Sequence, residues 1–263
     1  MKTKNTTVAT LALCAALPLA AQFGGPPPGF IGGGPGRHEF GAHKVVKGAP
    51  YSATVTNTIV QRLADGNTIQ RTTTGQVARD SQGRTYEQET ISGGPLGNHG
   101  PKNLTFLADP VAGYAYVLDA NKKTAFRRPF HPAESAAGAP GPEGEAQRHW
   151  DSSKVTKSDL GSDSSSGVAA QGTNVVHTIP AGEIGNTAPI VSTVQTWYSS
   201  DLQIVVKSVR NDPRFGQSTF ALSNVSTKEP DASLFQVPAG YSVQDALMHG
   251  PHGHDAGPPP PLP

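Results

Sequence analysis

Oily and hydrophilic positions alternate over much of 53–63: Ala53, Val55, Ile59 and Leu63 fall on one side of a period-two ribbon, Thr54, Thr56, Thr58 and Arg62 on the other. That alternation predicts a half-buried strand. Asp65-Gly66-Asn67 then supplies residues that tolerate positive φ, and the Thr-rich pattern resumes over 68–79, so the pair reads as a hairpin. Asp80-Ser81-Gln82-Gly83 repeats the device before a third run at 84–92. Strands joined by tight turns form a meander, and a meander is antiparallel. Short runs at 104–108, 114–119 and 124–128 continue the series, followed after a gap by 167–170, 173–179, 190–198, 202–210 and 218–226. No segment after the N-terminal apolar run keeps the three-and-four spacing of an amphipathic helix over eleven residues. The best helical stretch is one turn at 231–235, with Asp231 placed to cap it.

The expected fold is therefore mainly β, with few or no helices. The two sets of strands form either one strongly curved antiparallel sheet, a half-open barrel, or an antiparallel β-sandwich.

Composition divides the chain. Of 263 residues, 30 are Gly and 24 Pro, and most of these crowd into 22–50, 93–101, 129–145 and 246–263. Such stretches bury too little apolar area to offset their backbone entropy. The expected organisation is a signal peptide at 1–21, a disordered Gly/Pro-rich leader at 22–50, and a β domain at 51–245 with a flexible insertion at 129–153. A disordered His/Pro-rich tail follows at 246–263. The run 161–166, Gly-Ser-Asp-Ser-Ser-Ser, reads as a further loop.

The signal peptide rests on Lys2 and Lys4 ahead of an apolar run at 8–20, too short to span a bilayer comfortably, with Leu19-Ala20-Ala21 as its cleavage site. The expected compartment is periplasmic or extracellular, with no transmembrane span in the processed chain. Cys14, the single cysteine, lies inside that run, so disulfides, thiol catalysis and cysteine-ligated metal are excluded after processing. With 21 Lys and Arg against 20 Asp and Glu, the chain has no broad nucleic-acid footprint.

Catalytic signatures are lacking: there is no Gly-x-Ser-x-Gly elbow, Walker loop, His-Glu-x-x-His or dinucleotide-binding glycine pattern in the folded part. No enzyme activity and no cofactor are expected. Glu87 and Glu89 share a strand face, which reads as solvated beside Gln88 and Thr85. His177, mid-strand, reads as a satisfied sheet residue. In the loop at 180–186, Glu183 and Asn186 are expected to cap the turn. His249, His252, His254 and Asp255 lie within seven residues of one another, and neutral imidazole binds divalent ions well, so weak divalent-metal binding is expected at the tail.

Aromatic side chains supply the other opening. Tyr114, Tyr116, Trp197, Tyr198 and Phe220 are the candidate contacts for an apolar ligand, a lipid or acyl chain, or for an envelope protein, on the face of a curved sheet. The alternative is a structural or adhesive surface module without a small-molecule ligand.

Three stretches of the C-terminal third carry a family pattern: Gly167-Val168-Ala169-Ala170-Gln171-Gly172-Thr173, then Trp197-Tyr198-Ser199-Ser200-Asp201-Leu202, and last Glu229-Pro230-Asp231-Ala232-Ser233-Leu234-Phe235-Gln236-Val237-Pro238-Ala239-Gly240-Tyr241. Together they resemble secreted bacterial proteins and the sheet end of the LolA/LolB-like lipoprotein-carrier superfamily. The resemblance covers residues 167–241. It implies a strongly curved antiparallel sheet whose inner face, in the carriers, accepts acyl chains under helical lids. This chain departs from the pattern in having a Gly/Pro leader where a first helix belongs, and the insertion at 129–153 in place of lid helices.

Overall fold

The computed structural model describes residues 45–91, 102–130 and 154–245. Within them lie β1 (Tyr51–Arg62), β2 (Thr68–Arg79), β3 (Thr85–Ile91), β4 (Lys102–Asp109), β5 (Tyr114–Asp119) and β6 (Thr124–Pro129). After the insertion come β7 (Val155–Asp163), β8 (Ala170–Ile179), β9 (Ile190–Ser199), β10 (Ile204–Asp212), β11 (Gly216–Ser226) and β12 (Ser242–Asp245). All belong to one sheet, ordered β12-β6-β5-β4-β3-β2-β1-β11-β10-β9-β8-β7. Two meanders, β1 to β6 and β7 to β11, are thus welded back to back by antiparallel pairing of β1 with β11. A single unclosed curved sheet replaces the sandwich alternative. Among the described residues only β12 pairs in parallel, alongside β6.

Several elements depart from the sequence reading. Of the run 161–166, residues 161–163 are not loop but the end of β7, held by pairing with β8 in place of a hydrophobic face, while 164–166 form the turn that follows. Residues 167–170 and 173–179 are not two strands, since β8 runs unbroken through Gln171 and Gly172. At the end of the leader, Val46 packs against the core and Ala49 is buried within it. The helical turn at Ala232–Phe235 is a 3-10 turn, and Asp231 accepts from Ser233 N at 2.8 Å as its cap.

Register shows which side chains share a face. Val55 stands opposite Leu222, Ala53 opposite Val77, and Phe220 follows Leu222 at a spacing of two. These side chains form the main core together with Tyr51, Ile204 and Val206. Arg79 lies on the same face, two residues beyond Val77. Its Nε and Nη2 donate to Ala49 O at 3.1 and 2.9 Å, and Nη2 also donates to Leu202 O in the turn between β9 and β10. In a flat sheet, strands β2 and β10 would lie about 14 Å apart, beyond the reach of an arginine. The sheet therefore curls toward this side, which is its concave inner face. Irregularities at Ser52/Thr54, Val205/Lys207 and Asp159/Gly161 sharpen the bend, as β-bulges do.

A second cluster lies on the outer face. Tyr86 pairs with Leu107 and Leu107 with Tyr116, one residue out of phase with Glu87 and Phe106. Leu107, Leu118 and Ala125 are covered there by Val237 and Tyr241 of the C-terminal segment. Phe235 is buried with its ring 5.3 Å from the Arg84 guanidinium carbon. Asp80, also buried, accepts from the backbone N of Gln82 and Arg84 and from Arg84 Nε. Glu229 accepts from Ser81 N and Oγ, pinning the start of the strap to the turn between β2 and β3.

Replacing Arg79 with Met leaves the carbonyls of Ala49 and Leu202 buried without their charged donor. The expected cost in urea denaturation is about 2–3 kcal/mol, against less than about 0.5 kcal/mol for Arg71→Met, whose side chain is exposed. Equal losses in the two variants would contradict the role given to Arg79.

Candidate functional site

The inner face falls into three zones. Its middle is filled by the protein's own side chains, Val55, Val77, Phe220 and Leu222 among them. Beyond this plug, toward the β12 edge, pairing sets Val77 beside Glu87, Glu87 beside Phe106, Phe106 beside Val117 and Val117 beside Phe126 in one cross-strand row. Phe106 and Val117 are half-buried, and Phe126 is 41% exposed. The row becomes progressively more open toward the sheet edge. At its inner end Glu87 and Glu89 are 2% and 7% exposed. The expectation of a solvated face is thus corrected: the two carboxylates do share a face, but it is the concave one, where curvature withdraws them from water.

The third zone lies across β8, β9 and β10. His177 stands opposite Ser192, and both are buried, with Asp212 beside them. Asp212 Oδ1 accepts from Arg214 N and Nε, each at 2.9 Å, while Oδ2 accepts from Arg214 Nη2 at 2.7 Å and Ser192 Oγ at 2.9 Å. Serine, histidine and aspartate meet here. The Ser192 hydroxyl donates to the Asp212 carboxylate, and not to the imidazole as in a serine-histidine-aspartate triad. Burial pushes the His177 imidazole below its ordinary value, and the charges of Arg214 and Lys154 act in the same direction. Burial alone would raise the Asp212 carboxyl, but the hydrogen bonds from Arg214 and Ser192 outweigh it and hold the group below the usual carboxylate range.

The five aromatic candidates are dispersed. Phe220, 4% exposed, is part of the central plug. Tyr114 and Tyr116 share a face, with ring centroids 6.4 Å apart, but it is the outer one. Tyr116 packs in the cluster under the C-terminal strap, and Tyr114 lies against the Arg127 guanidinium at 4.8 Å. Trp197 packs against the main core with Lys207 Nζ 4.5 Å from its ring. Tyr198, the next residue along, is 37% exposed. In the loop after β8, Asn186 does cap the turn, its Nδ2 donating to Pro180 O and Ala188 O at 2.8 Å. Glu183 instead pairs with Lys154 Nζ at 2.7 Å. His249, His252, His254 and Asp255 lie outside the described residues. Among the described residues no group of three or more His, Cys, Asp or Glu is placed to hold a metal ion, and no helix is long and apolar enough to cross a membrane.

Sequence reasoning passed over Val117 and Phe126. Their signal was alternation within β5 and β6, but nothing local says which phase of a six-residue strand faces inward.

No family model and no curated protein matches this chain. Solved structures do. An uncharacterized conserved protein from Thermus thermophilus is 9% identical, with 75% of this chain and 91% of that one covered at a TM-score of 0.40. The MucA/MucB complex of Pseudomonas aeruginosa is 12% identical over 72% of this chain and 56% of the other, with a TM-score of 0.36. A LolA superfamily protein from Nitrosomonas europaea is 8% identical over 76% and 94%, with a TM-score of 0.31.

Protonation of these buried groups sets a pH dependence. Because the folded imidazole of His177 titrates below the unfolded one, the unfolded chain takes up the proton first as pH falls below about 6.5, and stability is lost there at up to about 1.4 kcal/mol per pH unit. Asp212 contributes fully above its ordinary value near about 4, and its contribution is lost as pH falls through the lower folded value. Urea melts across this range are expected to show the first component missing in His177→Gln and the second missing in Asp212→Asn. Variant curves parallel to wild type would refute the assignment.

Proposed function

We propose that this is an exported, non-enzymatic envelope protein that holds an apolar ligand, a lipid or acyl chain, on the inner face of its curved sheet. Residues 1–21 act as the export signal, the Gly/Pro-rich leader at 22–50 and the His/Pro-rich tail at 246–263 flank the β domain, and the insertion at 129–153 interrupts it. The observation that carries the reading is the row Phe106–Val117–Phe126. It sets three apolar side chains side by side on the concave face, separated from the buried plug by Glu87 and open at Phe126. Covering such a strip with a hydrocarbon chain is favourable by about 25 cal/mol per Å² of apolar surface removed from water. Of the five aromatic candidates, Phe220 is enclosed in the plug and Tyr114 and Tyr116 face outward, so the ligand site is placed on the row instead.

The test is titration with a dansylated fatty acid. Phe126→Ser is expected to weaken probe binding at least about fivefold while changing unfolding stability by less than about 1 kcal/mol, since the side chain is largely exposed. Tyr114→Ser, on the opposite face, is expected to leave binding unchanged. Wild-type protein that binds no acyl probe, and carries no lipid in native mass spectrometry after purification from its own envelope, would favour the structural or adhesive module instead.

A further inference from the structure

Arg210 occupies an unusual position in β10. It pairs with Ser218 of β11, which lies two residues before the core residue Phe220, and with Val194 of β9. Its side chain therefore projects from the inner face. The same row continues through Ile59 of β1 to Arg71 of β2. Val194 is buried, Ile59 and Arg210 are half-buried and Arg71 is exposed. The guanidinium thus stands between Ser218 and Val194 at the margin of the central plug, with Ile59 one strand further on.

The carboxylate nearest in sequence is Asp212, and it is already committed. A carboxylate offers about four acceptor positions. Here Arg214 N, Nε and Nη2 and Ser192 Oγ take four hydrogen bonds on its two oxygens. Among the described residues, no side chain or carbonyl accepts a hydrogen bond from Arg210. Burial pulls its guanidinium below the ordinary arginine value, with Asp212 offsetting this in part. Arginine nevertheless keeps its proton in proteins, so the desolvation shows as an uncompensated charge rather than a neutral group.

We propose that Arg210 anchors a site for a small anionic oxygen group, a carboxylate or phosphate, on the inner face of the sheet, with Arg71 as a second, outlying cation in the same row. The planar guanidinium offers two parallel donors to such a group, and the half-buried setting strengthens the bond relative to an exposed lysine. Val194 on one side, and Ile59 beyond Ser218 on the other, give an attached hydrocarbon apolar side chains to lie against. The site is separate from the Phe106–Val117–Phe126 row, from which the central plug divides it, and it stands whether or not that row holds an acyl chain.

Isothermal titration calorimetry on the full chain separates the cases, using inorganic phosphate, dodecyl phosphate and dodecanol. Dodecyl phosphate is expected to bind, with affinity reduced at least about tenfold in Arg210→Gln and partly restored in Arg210→Lys. If inorganic phosphate binds as tightly, the natural occupant is a free anion; if dodecyl phosphate binds much more tightly, it is the head of an amphiphile, and either result supports the site. The thermal midpoint of Arg210→Gln is expected to stay level or rise, because the substitution removes a desolvated charge without orphaning a partner. The proposal is overturned if neither phosphate ligand binds, if Arg210→Gln leaves their affinities unaltered, or if the variant loses stability as a structural arginine would. Dodecanol binding that survives Arg210→Gln but is lost in Phe126→Ser reports on the apolar row alone.

Discussion

Everything in this molecule hangs on β1. All twelve of its residues pair with β2, and its other edge pairs with β11, the last strand of the second meander. Neither meander closes on itself, and each would otherwise present a long unpaired edge at this position. Joining them through one strand produces a sheet wide enough to curl. It also puts residues distant in sequence, such as Val55 and Leu222, side by side in the plug. A β-bulge in that same pairing, at Ser52/Thr54, bends the sheet beside the plug residues Ala53 and Val55.

Curvature in turn creates polar obligations, which are met at the end of the molecule where β2 meets β3. Arg79 spans the concavity to reach the backbone of Ala49 and Leu202, while Asp80 and Arg84 neutralise each other beside it. Across the outer face, the segment from Glu229 to Asp245 does the corresponding work. It buries Phe235, lays Val237 and Tyr241 over Leu107 and Leu118, and ends as β12 with Asp245 2.8 Å from Arg127. One layer of sheet therefore carries two cores, one on each side, which is how a single sheet dispenses with a second layer.

For function the consequence is a concave face divided by its own plug into an apolar strip near the β12 edge and a charged region across β8 to β10. In the charged region the hydrogen bonds are closed around Asp212, and among the described residues Arg210 donates to no acceptor. In the apolar strip, exposure increases outward from Glu87 to Phe126. The two regions differ in chemistry because neighbouring rows of the same face draw on different strands, with no side chain shared between them.

Strand positions were legible wherever alternation and turn chemistry coincided, as in the three-strand meander from Tyr51 to Ile91 and its turns at Gly66 and Gly83, which adopt φ of 86° and 85°. The Asp231 cap was equally local, and equally visible. β7 was not, because Lys157, Ser158 and Asp159 carry no apolar face and are held by backbone pairing with β8. Nor was the inward phase of a strand. Period two says that Tyr116 and Val117 face oppositely, but only the pairings through β4 and β3 to Val77 reveal that Val117 looks into the trough and Tyr116 out under the strap. The same holds for charge. Glu87 reads as a solvated residue until the curled sheet buries it, and the burial of Asp212 likewise depends on side chains brought by other strands. Local pattern thus determined the ribbon-and-turn architecture, because alternation and turn propensity act over a few residues. Face, burial and pairing of charges were decided by the curled sheet, because they depend on contacts between strands far apart in the chain.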